Sequence, residues 1–143
     1  MINIQKLAKV AAIEAIGKME LEQANKEKEQ RATRIKNTKK ILNNYRQWVK
    51  YSSISPIPSY VVKLIERVLE TYKISCINSK RPNIIRRYNM MYYYFIAKEK
   101  KGYTKLADKY YVNHRTVFKD IEKAVEDMSI FFYGIDGIEV ITE

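Results

Sequence analysis

Asn113, His114, Arg115, Thr116 and Lys119 stand together at the start of one predicted helix. Within that helix Val117, Ile121, Ala124, Val125 and Met128 recur as a single apolar stripe, which leaves His114, Arg115, Phe118, Lys119 and Glu122 on or near the outer face. Arg115 and Lys119 are one turn apart on that face. Such a set suits recognition of a polyanion. The planar fork of Arg115 can donate two hydrogen bonds to a guanine edge, while Asn113, Thr116 and Lys119 can bond phosphates or bases. The positive end of the helix adds an attraction for phosphate. Arg86, Arg87, Lys105 and Lys109 are read as clamps on the same phosphate backbone.

Other chemistries find little material. His114 has no Ser or Cys nucleophile and no paired carboxylate that the sequence places with it, so it is read as a polar residue at a helix start. One Cys and one His cannot furnish a zinc site or an internal disulfide, and 4 Gly leave little for a phosphate-cradling loop. Cys76 is read as a small buried hydrophobe. The expectation is a protein that is not an enzyme, with no metal and no cofactor. Seven Tyr fall between positions 88 and 111. Their helical spacing puts Tyr88, Tyr92 and Phe95 on a buried face, which favours core packing over base-stacking platforms.

The elements that must position these residues are all helices. Residues 1–51 contain no Pro and are dominated by strong helix formers. Ile35, Thr38, Ile41, Leu42, Tyr45, Trp48 and Val49 form the better amphipathic stripe of that segment. Residues 25–34, apolar only at Ala32, read as either a solvated helix or a turn. Pro56 and Pro58 mark a linker over 52–59, after which Ser59 is the expected N-cap of a helix bearing Val61, Val62, Ile65, Val68, Leu69 and Tyr72. Pro82 opens the next helix, expected to end near Gly102. A short helix from Lys105 to about Tyr110, capped by Thr104, and a longer one from His114 toward Phe131, capped by Asn113, follow. Ala107 supplies a small residue where the last two helices must approach, with Val112 packed in the turn and Val117 and Ile121 facing Leu106. The tail 134–143 reads as a short strand or a loose end. The expected partition is a helical extension over 1–51 that could oligomerise, the linker, and a helical domain over 60–143 with a helix-turn-helix at about 104–131.

Charge supports the polyanion. The 143 residues include 27 Lys plus Arg against 16 Asp plus Glu, a formal net charge of +11. Residues 80–125 hold 12 basic and 4 acidic side chains, whereas residues 126–143 hold 5 acidic and no basic ones. A basic block favours nucleic acid. With 46% hydrophobic residues the chain has enough apolar material for a core. Its apolar runs fall short of the roughly 20 residues that span a bilayer, so no membrane partner is expected. The segment 1–17, interrupted by Lys6, Lys9 and Glu14, reads as mature cytoplasmic protein.

The stretch 102–138, GYTKLADKYYVNHRTVFKDIEKAVEDMSIFFYGIDGI, resembles the C-terminal end of the ArpU and RinA type of phage late-gene transcriptional regulators, which look like region four of bacterial sigma factors. The resemblance lies in Arg115-Thr116-Val117, in Lys119-Asp120-Ile121 with Ala124, and in the closing Phe132-Tyr133-Gly134-Ile135-Asp136. Upstream, Thr38-Lys39-Lys40-Ile41-Leu42-Asn43-Asn44-Tyr45-Arg46 is similar to the helix that opens many members. It implies a sequence-specific regulator on double-stranded DNA of phage or prophage, in the cytoplasm of the bacterial host, with the helix after Asn113 as reader and RNA polymerase as a further partner. Tyr111 departs from the pattern, standing where many such turns have Gly. The 34 residues before Ile35 are unmatched and read as an added dimerisation helix. Two rival readings stay open: a packaging protein of the small-terminase kind, and an adaptor that binds polymerase or a sigma factor.

Overall fold

In the computed structural model, which describes residues 3–134, helix α1 runs unbroken from Ile4 to Asn43, so the polar interval 25–34 is helix and not a turn. The chain nevertheless divides into two units, Met1–Arg34 and Ile35–Glu143. In the first, Ile4, Leu7, Val10, Ile13, Ile16 and Met19 are exposed. They recur every third residue, and in a helix of 3.6 residues per turn that spacing winds around the axis instead of making one face. The first unit thus presents apolar and charged side chains on all sides.

The second unit begins earlier than the expected 60–143 domain. Thr38, Ile41, Leu42 and Tyr45 are buried in its core, so the end of α1 and the short α2, Tyr45–Tyr51, belong to it and not to an extension. The stripe from Ile35 to Trp48 faces the core across both helices, while Val49, expected to continue it, is exposed. The linker also shrinks. Helix α3, Pro56–Asn78, starts at Pro56 with Ser55 extended ahead of it (φ −137°, ψ 142°), not at Ser59. A residue before Pro is pushed out of the helical region, and Pro at the first position loses only a donor that would be unpaired there. Helix α3 buries Val62, Ile65, Val68, Leu69, Tyr72 and Cys76. Burial pushes the Cys76 thiol pKa up, which removes its thiolate character.

Helix α4, Pro82–Met91, opens on Pro82 as its sequence suggests and then widens into a π-turn, Tyr92–Ile96. The helical run ends there, six residues before Gly102. Tyr88 and Phe95 are buried as expected, whereas Tyr92, expected on the same face, is 38% exposed. Helix α5, Tyr103–Tyr110, is preceded by Gly102, so Thr104 lies within its first turn and does not cap it. Helix α6, His114–Tyr133, follows after three residues, and the Asn113 side chain caps it as expected. Leu42, Tyr45, Ile65, Tyr72, Met91, Phe95, Leu106 and Ile121 join the helices of the second unit into one core. Among the described residues there is no strand, and no helix is long and apolar enough to cross a membrane. The tail and the Ile135-Asp136 end of the closing motif lie outside the described residues.

Between α5 and α6, Tyr111 adopts the left-handed conformation (φ 55°, ψ 45°) with its ring 96% exposed. That conformation costs an L residue about 1–2 kcal/mol, and glycine gives back about 0.5–1 kcal/mol through its freer unfolded state. Tyr111→Gly is therefore expected to stabilise the fold by roughly 0.5–1 kcal/mol. The denaturation midpoint should rise at unchanged slope. A lower midpoint would mean that the exposed ring holds the turn.

Candidate nucleic-acid interface

The seam between α5 and α6 is apolar: Leu106, Ala107, Val117 and Ile121 are all buried in it, and half-buried Val112 packs against the core. The amide of Val112 donates to the carbonyl of Ala107 at 3.1 Å, which closes the turn around left-handed Tyr111. Asn113 is spent locally. Its Oδ1 accepts from the Thr116 amide at 2.8 Å and from Thr116 Oγ1 at 3.0 Å. This bond satisfies an amide left over at the helix start, and it draws the Thr116 hydroxyl inward. Of the five residues expected to meet a ligand at the start of α6, His114, Arg115 and Lys119 are exposed together with the Asn113 cap, and Thr116 is half-buried.

The basic residues fall into two classes. Arg86 and Arg87 do not stand free as phosphate clamps. Arg86 Nε donates to Asp120 Oδ2 at 2.7 Å, and Arg87 Nη1 to Asp127 Oδ2 at 3.3 Å. Helix α4 packs on α6, where buried Asp120 and half-buried Asp127 each meet a charged partner. Asp127 also accepts from the Tyr72 hydroxyl at 2.9 Å, so this cluster ties α3, α4 and α6 together. Burial, with Asp127 nearby, drives the Tyr72 hydroxyl pKa far above its ordinary value. The other acids of α6 are answered as well: Glu122 by Lys39 at 2.8 Å and Glu126 by Lys123 at 3.4 Å. The hydrogen bond from Lys39 to Glu122 holds the Lys39 ammonium pKa above its usual value, against a smaller desolvation effect.

Lys105, Lys109, Arg115 and Lys119 form the second class: they are exposed, and no carboxylate lies within ion-pair distance of them among the described residues. No family model, no curated protein and no solved structure matches this chain. The chemistry of the surface stands on its own residues. Phe118 shares the outer flank of α6, half-exposed, its ring 6.4 Å from that of Tyr103, which in turn lies 5.4 Å from Tyr94.

Two features were missed by reading along the chain. Lys100 and Lys101 lie over the rings of Tyr94 and Tyr93, and Arg46 of α2 donates to the carbonyls beneath them. The run Lys98-Glu99-Lys100-Lys101 is visible as local charge, but its pairing with aromatic faces depends on a chain reversal after the π-turn. Elsewhere the surface offers little for catalysis. In the crevice lined by Tyr72, Cys76, Arg87, Asp127 and Phe131, the polar groups of Tyr72, Arg87 and Asp127 are bonded to one another. Among the described residues no three His, Cys, Asp or Glu are grouped to hold a metal ion.

Proposed function

We propose that this protein is a transcriptional regulator that binds double-stranded DNA through a helix-turn-helix formed by α5 and α6, with α6 entering the major groove. One observation carries the reading. Every carboxylate of α6 is matched to a base from α1, α4 or α6 itself, while Arg115 and Lys119 on its exposed first turns are matched to none among the described residues. The N-terminal half of α6 therefore presents net positive charge at the positive end of a helix, which suits a phosphate-lined groove. Arg115 reads a base edge, and Lys119, Lys105 and Lys109 contact phosphates. The resemblance to ArpU and RinA type regulators supports phage or prophage late genes as the setting. Pairing of two copies, which would present two readers to two half-sites, is the usual arrangement of such a motif, although the apolar side chains of residues 4–19 wind around α1 and mark no single seam for it.

Binding to a duplex is expected to weaken steeply with salt. The three lysines named as phosphate contacts give a slope of roughly −3 per bound copy in log affinity against log salt. Titration of a labelled duplex across a range of chloride concentrations measures it. A flat dependence removes nucleic acid from the reading and leaves a protein-binding adaptor.

A further inference from the structure

The π-turn Tyr92–Ile96 ends against a half-buried cation. Arg46 donates from Nε to the carbonyl of Ala97 at 2.7 Å, from Nη1 to that of Tyr94 at 3.0 Å and from Nη2 to that of Tyr93 at 3.3 Å. These carbonyls lie at the end of a helical run, where the next turn supplies no donors. A guanidinium takes that place, and burial without a carboxylate lowers its pKa. Beyond Ala97 the backbone turns extended and doubles back, so that the amide of Lys101 donates to the carbonyl of Tyr93 at 3.0 Å. This return stroke brings two lysines onto aromatic faces. The Lys100 ammonium sits 4.2 Å from the centre of the Tyr94 ring, and that of Lys101 sits 4.3 Å from the centre of the Tyr93 ring. Lys109 of α5 shares the Tyr93 ring at 5.1 Å.

The rings hold these charges in place without neutralising them. No carboxylate among the described residues lies within ion-pair distance of Lys100, Lys101 or Lys109, and Glu99 is exposed and forms no ion pair. Arg46, Lys100, Lys101 and Lys109 therefore concentrate positive charge around one small aromatic platform. Mutual repulsion disfavours such a cluster unless an anion meets it. A pre-ordered ammonium also gives up less freedom on contact than a free lysine side chain does.

We infer that Lys100, Lys101 and Lys109 on the Tyr93–Tyr94 platform form a second phosphate-contacting surface, which engages duplex DNA beside the segment met by α6. The inference rests on the DNA-binding reading above and extends it to a loop outside the two helices. Lys109 links the two surfaces, because it stands on α5 and shares a ring with Lys101. Contacts of this kind hold the protein in register on the duplex and are blind to base identity.

The test uses the full chain carrying Lys100→Gln and Lys101→Gln together, on a duplex of about 30 base pairs, with single-base variants of the preferred site as a second panel. Both changes lie on the surface, and circular dichroism and the thermal midpoint check that the fold is intact. Loss of two phosphate contacts should make the salt slope shallower by about 1.8, while the ranking of the single-base variants stays the same. A second variant, Tyr93→Leu with Tyr94→Leu, keeps the lysines and frees them, and should weaken binding without changing the slope as much. An unchanged slope in the lysine variant, when the parent slope is steep, overturns the platform and leaves α6 as the reader. A reordered ranking overturns it too, since the loop would then be reading bases. A flat slope in the parent chain overturns both readings together.

Discussion

Arg86→Ala is expected to cost the fold about 2–3 kcal/mol, somewhat below the roughly 3–5 kcal/mol of a fully buried ion pair because Arg86 is partly exposed. The guanidinium Nε and Asp120 Oδ2 are 2.7 Å apart, and their side chains are 28% and 11% exposed. Removal of the cation leaves a carboxylate among Val117, Ile121 and Ala124 with neither a counter-charge nor enough water. Chemical denaturation of the variant should show a lower midpoint at an unchanged slope. Arg86→Ala with Asp120→Ala should recover part of the loss, because no orphan charge remains. DNA affinity measured well below the midpoint should keep its salt slope. The opposite pattern, with stability intact and the slope reduced by about one contact, would return Arg86 to the role of a phosphate clamp.

Arg115→Ala is expected to weaken binding at the preferred site by about 1–3 kcal/mol, or roughly 5- to 150-fold, and to relax preference at one base position. Arg115 is exposed on the first turn of α6 and has no ion-pair partner among the described residues, so the loss is not diluted by a broken internal contact. Lys109→Ala, on α5, should lower affinity for all sequences by one common factor. A panel of single-base duplex variants separates the two, with circular dichroism as the check on folding. If Arg115→Ala lowers every site equally, Arg115 is a phosphate contact. The reading role then passes to Lys119, because Asn113 and Thr116 are bonded to each other.

The correct readings share a scale. The Asn113 cap on α6, the Pro82 start of α4, the buried Cys76 and the apolar stripe of Val117, Ile121, Ala124, Val125 and Met128 all follow from contacts within about four residues along a helix. Tyr111 was legible only as a residue standing where many such turns have Gly, and its left-handed conformation is a finding of the structure. Even the split of α6 into a buried stripe and a basic face was legible, because helical periodicity alone sorts side chains by direction.

The fate of each cation was not local, and here the reading failed. Arg86 and Arg115 look alike along the chain. One is matched by a carboxylate 34 residues away and the other by none among the described residues, and Lys39 meets Glu122 across 83 residues. The same holds for the domain boundary, since the stripe from Ile35 to Trp48 suits a dimer seam as well as a core face until α3 and the π-turn are packed against it. The Arg46 bonds to three carbonyls likewise depend on two segments that only folding brings together. Periodicity and caps are short-range properties of one helix. Ion pairing and burial are properties of the pair of helices that meet, and which pairs meet was decided by the packing of the whole core.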